Sequence, residues 1–489
     1  MSSSSGPWRE AKIGEVGEMS PMLPKESRTR MSYSHVAYLS DESLRSDSSD
    51  FRRAHSVPVY TRRDLRMLSL SPMFYSKFYM TEGGGMISSA FNLASATCGA
   101  GVLALPYAMQ HCGALTGTLT LIVVCTLTVY SVFLLTKVSS LTKLMTYEEL
   151  AMDLVGPITE KLTALVIVVF CWGVAVMYVV VMGDFVVPLI DAAGFSRIIG
   201  RRTAMLIFWI FIMFPLSLAR KINTLRYASI VGTVSTLLLA GALAVRFAQE
   251  VMEVEHTSRL EGFVDEAAKT KLTRWDAGTL GALSTFVFSY CCQPVAPKVY
   301  EELQDRSVKR MCVCSFWSMF TCTLVYIATG VFGAMSFGEA VNPNVLVNFS
   351  SHLDSMTAQV AYLGMVVAVT MAFPMTIFPT RDSVVIALGY RADENPAPGW
   401  LSSAVAGLLA LLALLFGLAV PSIRVLFDLL GGVCGGSLSF ILPAVFALRS
   451  GYWSLAAVGW QHLTLTWVTL LFGVIVCSVG TYNSIKTNF

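Results

Sequence analysis

The sequence predicts an all-α polytopic membrane protein with about eleven transmembrane helices. Of its 489 residues, 54% are hydrophobic and only 14% are charged, and the mean hydropathy is +0.62. This composition excludes an ordinary soluble domain. The apolar residues are gathered into eleven stretches, most of which reach the ~20 residues that a helix needs to cross a bilayer.

Two regions of different composition divide the chain. Residues 1–82 are rich in serine and charge and poor in long apolar runs, which predicts a disordered cytosolic tail. Residues 83–489 hold all the apolar stretches and form the predicted membrane domain. We call these stretches spans 1 to 11, with predicted bounds near 86–109, 114–136, 162–189, 203–219, 224–246, 277–296, 312–336, 357–379, 400–420, 425–447 and 463–483.

Span 1 has a centre that is a poor place for a helix to stay wound. Gly99 and Gly101 flank Ala100 there, and a glycine costs roughly 1 kcal/mol in a helix interior. Pro106 follows and cannot donate a backbone hydrogen bond. A broken span exposes backbone groups that lipid cannot satisfy, so they must face protein or a water-filled cavity. The alternative is an unbroken helix with a close-packing glycine face.

Span 6 is irregular in the same way. Polar residues lie inside it at Ser284, Thr285 and Ser289, and Pro294 lies near its end. If the first ten spans are divided into two groups of five, spans 1 and 6 occupy corresponding positions. Paired interrupted spans in corresponding halves indicate the binding site of a transporter built from inverted repeats.

The basic residues predict an orientation. With the amino-terminal tail inside, 25 of the 35 lysine and arginine residues lie on the cytosolic side. The one Asn-x-Ser/Thr sequence, at Asn348, then falls in an outside loop and is a candidate glycosylation site. Three arginines in the predicted outside loop between spans 3 and 4 do not follow the rule.

Several motifs, in order along residues 86–447, resemble the amino acid/auxin permease family, and the long serine-rich tail resembles its protozoan members. The motifs are Phe91-Asn92-Leu93 with Gly99-Ala100-Gly101-Val102-Leu103 and Pro106-Tyr107-Ala108; Gly183-Asp184; Phe288-Ser289-Tyr290 through Gln293-Pro294 to Tyr300-Glu301-Glu302-Leu303-Gln304-Asp305-Arg306-Ser307; Ala368-Val369-Thr370; Phe378-Pro379-Thr380-Arg381-Asp382-Ser383; Pro421-Ser422-Ile423-Arg424; and Ser439-Phe440-Ile441-Leu442-Pro443.

The resemblance implies a leucine-transporter-like fold, in which spans 1–5 and 6–10 form an inverted repeat and one helix follows. It also implies secondary active transport of amino acids by alternating access, not an enzyme, with an amino acid, a coupling cation and membrane lipid as partners. No cofactor, resident metal or nucleic acid is expected. The expected location is a membrane, with the plasma membrane favoured and a vacuolar or lysosomal membrane as the alternative.

An amino acid substrate carries a carboxylate and an ammonium group, and unwound backbone offers donors and acceptors for both. The amides near the break in span 1, followed by a helix start, suit the carboxylate. The predicted substrate residues are Thr97, Cys98, Gly99, Ala100 and Gly101 of span 1 and Phe286, Phe288 and Ser289 of span 6. The aromatic residues could equally face lipid or the core.

Coupling residues follow from the same resemblance. Thr370 matches a position that helps to hold sodium in sodium-coupled relatives, while Ser95 replaces their asparagine. This loss favours proton coupling or sodium independence, although both residues could be packing positions. Asp184 is a third candidate cation site, since an acid in a span is usually functional, unless it lies at the membrane interface.

Charged residues after span 6 predict an inner gate made of Glu301, Glu302, Asp305 and Arg306, with a solvated loop as the alternative.

Spans 1 and 6 carry no acid at their centres, which favours small neutral substrates such as alanine or proline. Transport of arginine or lysine is the second hypothesis. A third is an amino acid sensor that signals through the tail.

Overall fold

The computed structural model describes residues 85–192, 200–218, 228–256, 273, 277–350, 356–388, 390, 397–420 and 423–488. The predicted tail, residues 1–82, lies outside this part of the chain. All eleven predicted spans correspond to helices. Spans 1 to 5 comprise Met86–Thr97 with the 3₁₀ turn Ala100–Ala104 and Leu105–Cys112; Ala114–Thr142; Pro157–Ala192; Arg201–Phe208 with the π turn Trp209–Met213 and Phe214–Ser217; and Ala228–His256.

Spans 6 to 11 follow in the same order. They comprise Ala277–Ser289 with Ala296–Glu302; Val308–Phe337; Met356–Ala387; Gly399–Ala419; Ile423–Phe427 with the π-helical stretches Asp428–Gly435 and Ser437–Ile441 and the helix Leu442–Arg449; and Leu455–Asn488. Short helices Tyr147–Leu154, Gly338–Ala340 and Val345–Ser350 lie in the connections. The all-α membrane fold is therefore confirmed.

Within the described residues, eight helices are long and apolar enough to cross a membrane, and span 1 makes nine when its two halves are taken together. Span 4 and the first part of span 6 are helical but fall short of that length. Eleven crossings and the inverted repeat therefore stay predictions, although the paired breaks in spans 1 and 6 agree with both.

Span 1 bends by 48° at its glycines. Its first helix ends at Thr97, and Gly99 has the extended dihedral angles φ −107° and ψ −153°. Pro106 lies in the first turn of the second helix, where a missing N–H is tolerated. Span 6 ends its first helix at Ser289 and resumes at Ala296, after Pro294. Residues of both breaks are buried, among them Cys98, Tyr290 and Cys292.

Glycines allow span 10 to approach its neighbours closely. A Cβ at Gly431 would overlap the carbonyl oxygen of Ser284 in span 6, and a Cβ at Gly432 would overlap the Cα of Gly480 in span 11. Small residues permit this backbone-to-backbone contact between membrane helices. Span 10 is therefore held between spans 6 and 11 by contacts that any side chain would obstruct.

Candidate binding site at the break in span 1

A cavity of about 260 Å³ lies at the break in span 1. It extends along span 6 to Pro294 and along span 8 to Asp382, whose side chain is 36% exposed. Its lining is Ser95, Ala96, Thr97, Cys98, Gly99, Ala100, Gly101, Phe170, Cys171, Val174, Tyr178, Gly232, Thr236, Phe288, Ser289, Cys291, Pro294, Val295, Met365, Ala368, Val369, Ala372, Met375, Thr376, Phe378, Pro379 and Asp382. The unwound backbone thus faces a cavity, as the sequence predicts for a broken span.

Backbone polarity at the break comes from the change of helix type. The 3₁₀ turn starts at Ala100 without a side-chain cap. The first amides of a helix have no partner inside it, and they carry partial positive charge. Gly99 leaves open space where a Cβ would stand, so the backbone there is accessible from the cavity. This end of the cavity is suited to an anionic group.

Tyr326 of span 7 joins the two breaks. Its hydroxyl oxygen lies 2.8 Å from the carbonyl oxygens of both Thr97 and Ser289, and the hydroxyl donates to one of them at a time. The ring is fully buried and packs edge-to-face against Tyr290, with centroids 5.2 Å apart. Tyr326 therefore fixes the distance between the unwound parts of spans 1 and 6.

Two further contacts hold the break in place. The Sγ of Cys98 lies 3.3 Å from the Sγ of Cys322, one turn before Tyr326 in span 7. A Cβ at Gly101 would lie 2.9 Å from the Cα of Ser289. Gly101 lines the cavity and is also needed for the close contact between spans 1 and 6, so its predicted contact with substrate stays a prediction.

The other predicted site residues divide between the cavity and the core. Phe288, Ser289 and Ser95 line the cavity together with the span 1 residues. Phe286 is fully buried and belongs to the core, outside the cavity lining. Thr370 also lies outside the lining, and its hydroxyl donates to the carbonyl of Val366 at 2.7 Å. Ser95 and Thr370 are therefore not brought together in this cavity.

Asp184 lies near the end of span 3, away from the cavity. One carboxylate oxygen accepts from Arg201 at 2.9 Å, and the other accepts from the amide of Asn344 at 3.2 Å. The side chain is 20% exposed. These contacts connect span 3 with the start of span 4 and with the connection after span 7, which agrees with the interfacial alternative.

The four predicted gate residues lie beyond the predicted end of span 6 near residue 296, in or just after the helix Ala296–Glu302, and their ion pairs are local. Glu301 pairs with Lys298, and Asp305 pairs with Arg310 at 3.0 Å. Arg306 is exposed. Glu302 is half-buried, and burial raises the pKa of its carboxyl group to about 7, against the opposing effect of Lys298.

Asn348 lies in the short helix Val345–Ser350. Its side-chain nitrogen donates to the carbonyl of Ala340 at 2.9 Å, and its side-chain oxygen accepts from the amide of Asn342 at 2.8 Å. Modification of Asn348 remains a prediction.

A much smaller crevice lies on the other side of the break, where span 6 begins. Its volume is about 10 Å³, and its charged lining residues are Arg424 and Asp428 of span 10. Arg424 donates to the hydroxyl of Tyr107, in the second half of span 1, at 2.9 Å. The break therefore separates a roomy side from a nearly closed side.

The sequence did not predict the walls that spans 3, 5 and 8 contribute. Val174 and Tyr178 of span 3, Gly232 and Thr236 of span 5, and Met365, Ala372 and Met375 of span 8 carry no charge or motif that distinguishes a cavity wall from core. A phenol in the middle of a span requires a hydrogen-bond partner, so the sequence weakly indicates that Tyr326 makes a polar contact there. Asp382 belongs to one of the motifs in the sequence, but that motif does not predict its place in the cavity.

Comparison with known proteins identifies the family. A family model described as transmembrane amino acid transporter protein matches residues 82–486. The chain belongs to this family. The match covers nearly all of the described residues, so the resemblance that the motifs indicated is confirmed.

Three curated relatives are similar over most of this transporter. Amino acid transporter AVT6E of Arabidopsis thaliana is 27% identical and aligns with 83% of this chain and 84% of its own. Sodium-coupled neutral amino acid symporter 2 of Danio rerio is 27% identical, with 77% of both chains covered. Vacuolar amino acid transporter 5 of Schizosaccharomyces pombe is 27% identical, with 73% and 83% covered.

Among solved structures, a sodium-coupled sialic acid symporter in an outward-open state is 13% identical. It has a TM-score of 0.49, with 83% of this chain and 92% of that one covered.

Proposed function

We propose that this protein is a secondary active transporter that moves small neutral amino acids across a membrane. The observation that carries the proposal is the cavity of about 260 Å³ against the unwound backbone of span 1. The uncapped amides after Gly99 suit the carboxylate of an amino acid, and carbonyl groups before it suit the ammonium group. Discontinuous spans hold substrate in this way in transporters with inverted repeats.

The cavity walls support a neutral substrate. Phe288, Val174 and Met365 are apolar, and Asp382 is the one charged residue among the described lining residues. Asp382 already pairs with Arg381 at 2.7 Å. A cationic side chain would have to compete with that guanidinium, whereas the apolar walls suit alanine or proline.

Asp382 also gives the second candidate, transport of arginine or lysine. Its side chain is partly exposed at one end of the cavity, where a long cationic side chain would reach it. Replacement of Asp382 by asparagine separates the two candidates. If the substrate is cationic, Asp382→Asn raises KM for arginine; if it is neutral, uptake of alanine is kept.

Proton coupling is the proposed driving force. Ser95 stands where sodium-coupled relatives carry an asparagine, and Thr370 lies outside the cavity lining with its hydroxyl donated to Val366. A hydroxyl and carbonyl groups make a weak site for sodium, which must give up its hydration shell to bind. We therefore expect uptake to persist when sodium is replaced by choline.

The predicted orientation determines which side of the membrane the cavity faces. The ends of spans 6 and 8 that line it face the cytosol if the positive-inside rule sets the topology. The described conformation is then open towards the cytosol and nearly closed towards the outside. The relatives include a vacuolar transporter, so both a plasma membrane and a vacuolar membrane remain candidate locations.

The deciding experiment is uptake of all twenty labelled amino acids by the purified full-length chain in proteoliposomes. We expect saturable uptake of alanine or proline that a proton gradient stimulates and sodium does not. Binding without uptake would instead identify a sensor. Steep sodium dependence would overturn the proposed coupling and leave amino acid transport intact.

A further inference from the structure

A buried carboxylate lies across the break in span 1 from the cavity. Asp428 is the first residue of the π-helical stretch in span 10, and it is only 1% exposed. Its Oδ2 accepts no hydrogen bond from any described residue and lies 4.0 Å from the Nε of Arg424. Burial of a carboxylate charge without hydrogen bonds is costly, so this position requires an explanation.

The small crevice gives the carboxylate a solvent-sized space. Its volume of about 10 Å³ corresponds to roughly one water molecule. Gly281 of span 6 faces the pair, since a Cβ there would be in ordinary van der Waals contact with Nη2 of Arg424 at 3.4 Å and with Oδ1 of Asp428 at 3.8 Å. Span 6 thus presents bare backbone to the ion pair.

Arg424 has a second partner in a different span. Its Nη1 donates to the hydroxyl of Tyr107 at 2.9 Å, and its guanidinium carbon lies 5.6 Å from the centre of that ring. The Arg424 side chain is 34% exposed, so solvent reaches the pair from this side. Arg424 therefore connects the carboxylate of span 10 to the second half of span 1.

The other titratable groups near Asp428 are few. The second half of span 1 presents the Tyr107 phenol and the His111 imidazole, which also line the crevice. Span 6 lines it with Gly278, Gly281, Ala282 and Thr285, none of them titratable. Span 11 presents the uncharged amide of Asn483 near Gly281. Gly173 of span 3 packs against Leu430 of span 10. The nearby titratable group on span 3 is the thiol of Cys171. Among the described residues, Arg424 is the one cation paired with Asp428.

We propose that Asp428 is the proton-binding site that couples transport to a proton gradient. We further propose that Arg424 transmits the change in the charge of Asp428 to span 1. This inference rests on the proposed function. A metal cation is disfavoured because a guanidinium stands 4.0 Å away and the crevice offers a single carboxylate. A proton needs one oxygen, and it removes the buried charge.

The proposed step is a simple protonation. A proton from the solvent on this side binds Oδ2 of Asp428, which changes the carboxylate to a neutral carboxylic acid; no other bond forms or breaks. The guanidinium keeps its charge, but the ion pair with Asp428, its neighbour within span 10, no longer holds it in place. Its hydrogen bond to Tyr107, which joins span 10 to the second half of span 1, is then less firmly oriented, so the nearly closed side can open. Loss of the proton restores the ion pair and closes it again.

The test uses the full-length protein in proteoliposomes and the amino acid that is taken up best. For one proton per substrate, a gradient of one pH unit supports roughly tenfold accumulation. We expect the unmodified chain to show this accumulation. We expect Asp428→Asn to equilibrate substrate without accumulating it, while counterflow exchange at equal pH is retained. The control Glu339→Gln, which removes an exposed acid, should accumulate substrate like the unmodified chain.

A second variant keeps the test decisive if Asp428→Asn does not fold. Arg424→Gln removes the counter-charge, so the ionised carboxylate is less stable, and the pH of half-maximal uptake should rise. His111→Gln tests the imidazole that also lines the crevice and should leave accumulation unchanged.

Each adverse outcome has a separate meaning. Proton-driven accumulation by Asp428→Asn overturns the inference, and so does an unshifted pH profile for Arg424→Gln. Loss of accumulation in His111→Gln alone would assign the proton to His111. Failure of the unmodified chain to transport any amino acid would contradict the proposed function instead.

Discussion

Gly99 and Gly101 lie two residues apart in the break of span 1, but their surroundings differ. A Cβ at Gly99 would meet nothing within 4 Å, because it would point into the cavity. A Cβ at Gly101 would lie 2.9 Å from the Cα of Ser289, in the packed contact with span 6. One glycine leaves room for a ligand, and the other leaves room for a neighbouring helix.

This difference gives a matched pair of variants. We expect Gly99→Ala to fold like the unmodified chain and to reduce kcat/KM for uptake by about tenfold, equivalent to a loss of ~1.4 kcal/mol. We expect Gly101→Ala to lower stability by about 1–3 kcal/mol, the usual effect of overpacking. Thermal unfolding of the purified proteins and uptake in proteoliposomes measure the two effects. Normal uptake by Gly99→Ala would contradict the assigned substrate position.

Individual helices follow from the sequence because apolar length determines them, and their breaks follow from Gly99, Gly101, Pro106 and Pro294. The contacts between helices do not follow in the same way. Tyr326 hydrogen-bonds to carbonyls in spans 1 and 6 that are far away in sequence. Phe286 and Phe288 are two residues apart, and only the rotation of span 6 decides which one meets the cavity. That rotation is set by close contacts such as the one at Gly431, which composition does not reveal.

The helix Ala296–Glu302 carries a group that titrates near neutral pH. Burial raises the pKa of Glu302 from the ordinary value of 4.5 to about 7 in the described conformation. This conformation therefore binds a proton that a solvated Glu302 would release. It is favoured at low pH and loses stability as the pH rises from about 4.5 through 7.

We expect the thermal midpoint of the unmodified protein to fall between pH 5 and 8. Glu302→Gln should reduce this slope, because a neutral amide does not titrate. Glu339→Gln serves as the control, since that acid is exposed. Parallel pH profiles for the unmodified protein and Glu302→Gln would show that Glu302 is ionised throughout.

At the scale of the whole molecule, the two sides of the break are unequal. The roomy side ends at Asp382, and the narrow side is held by Arg424 between Tyr107 and Asp428. The sequence predicted the break and the residues around it, and it did not predict which side would be open. That choice belongs to one conformation, and the proposed transport by alternating access requires at least two.

Orientation can be measured separately from conformation. The positive-inside rule places the connection between spans 7 and 8, which contains Asn348, outside the cell or in the organelle lumen. We expect an epitope inserted in this connection to bind antibody on intact cells when the protein is at the surface. An epitope at the amino terminus should require permeabilisation. The reverse pattern would invert the topology and would make the narrow side cytosolic.

The contact between Gly432 and Gly480 has a consequence for the surroundings of the protein. Span 11 touches span 10 through backbone atoms, while its other face is apolar and exposed at Trp467, Leu471 and Ile475. A helix longer or shorter than the hydrocarbon thickness changes its tilt. A change in the tilt of span 11 would be passed through this contact to span 10, which carries Arg424 and Asp428. We therefore expect the rate of transport to depend on the thickness of the bilayer.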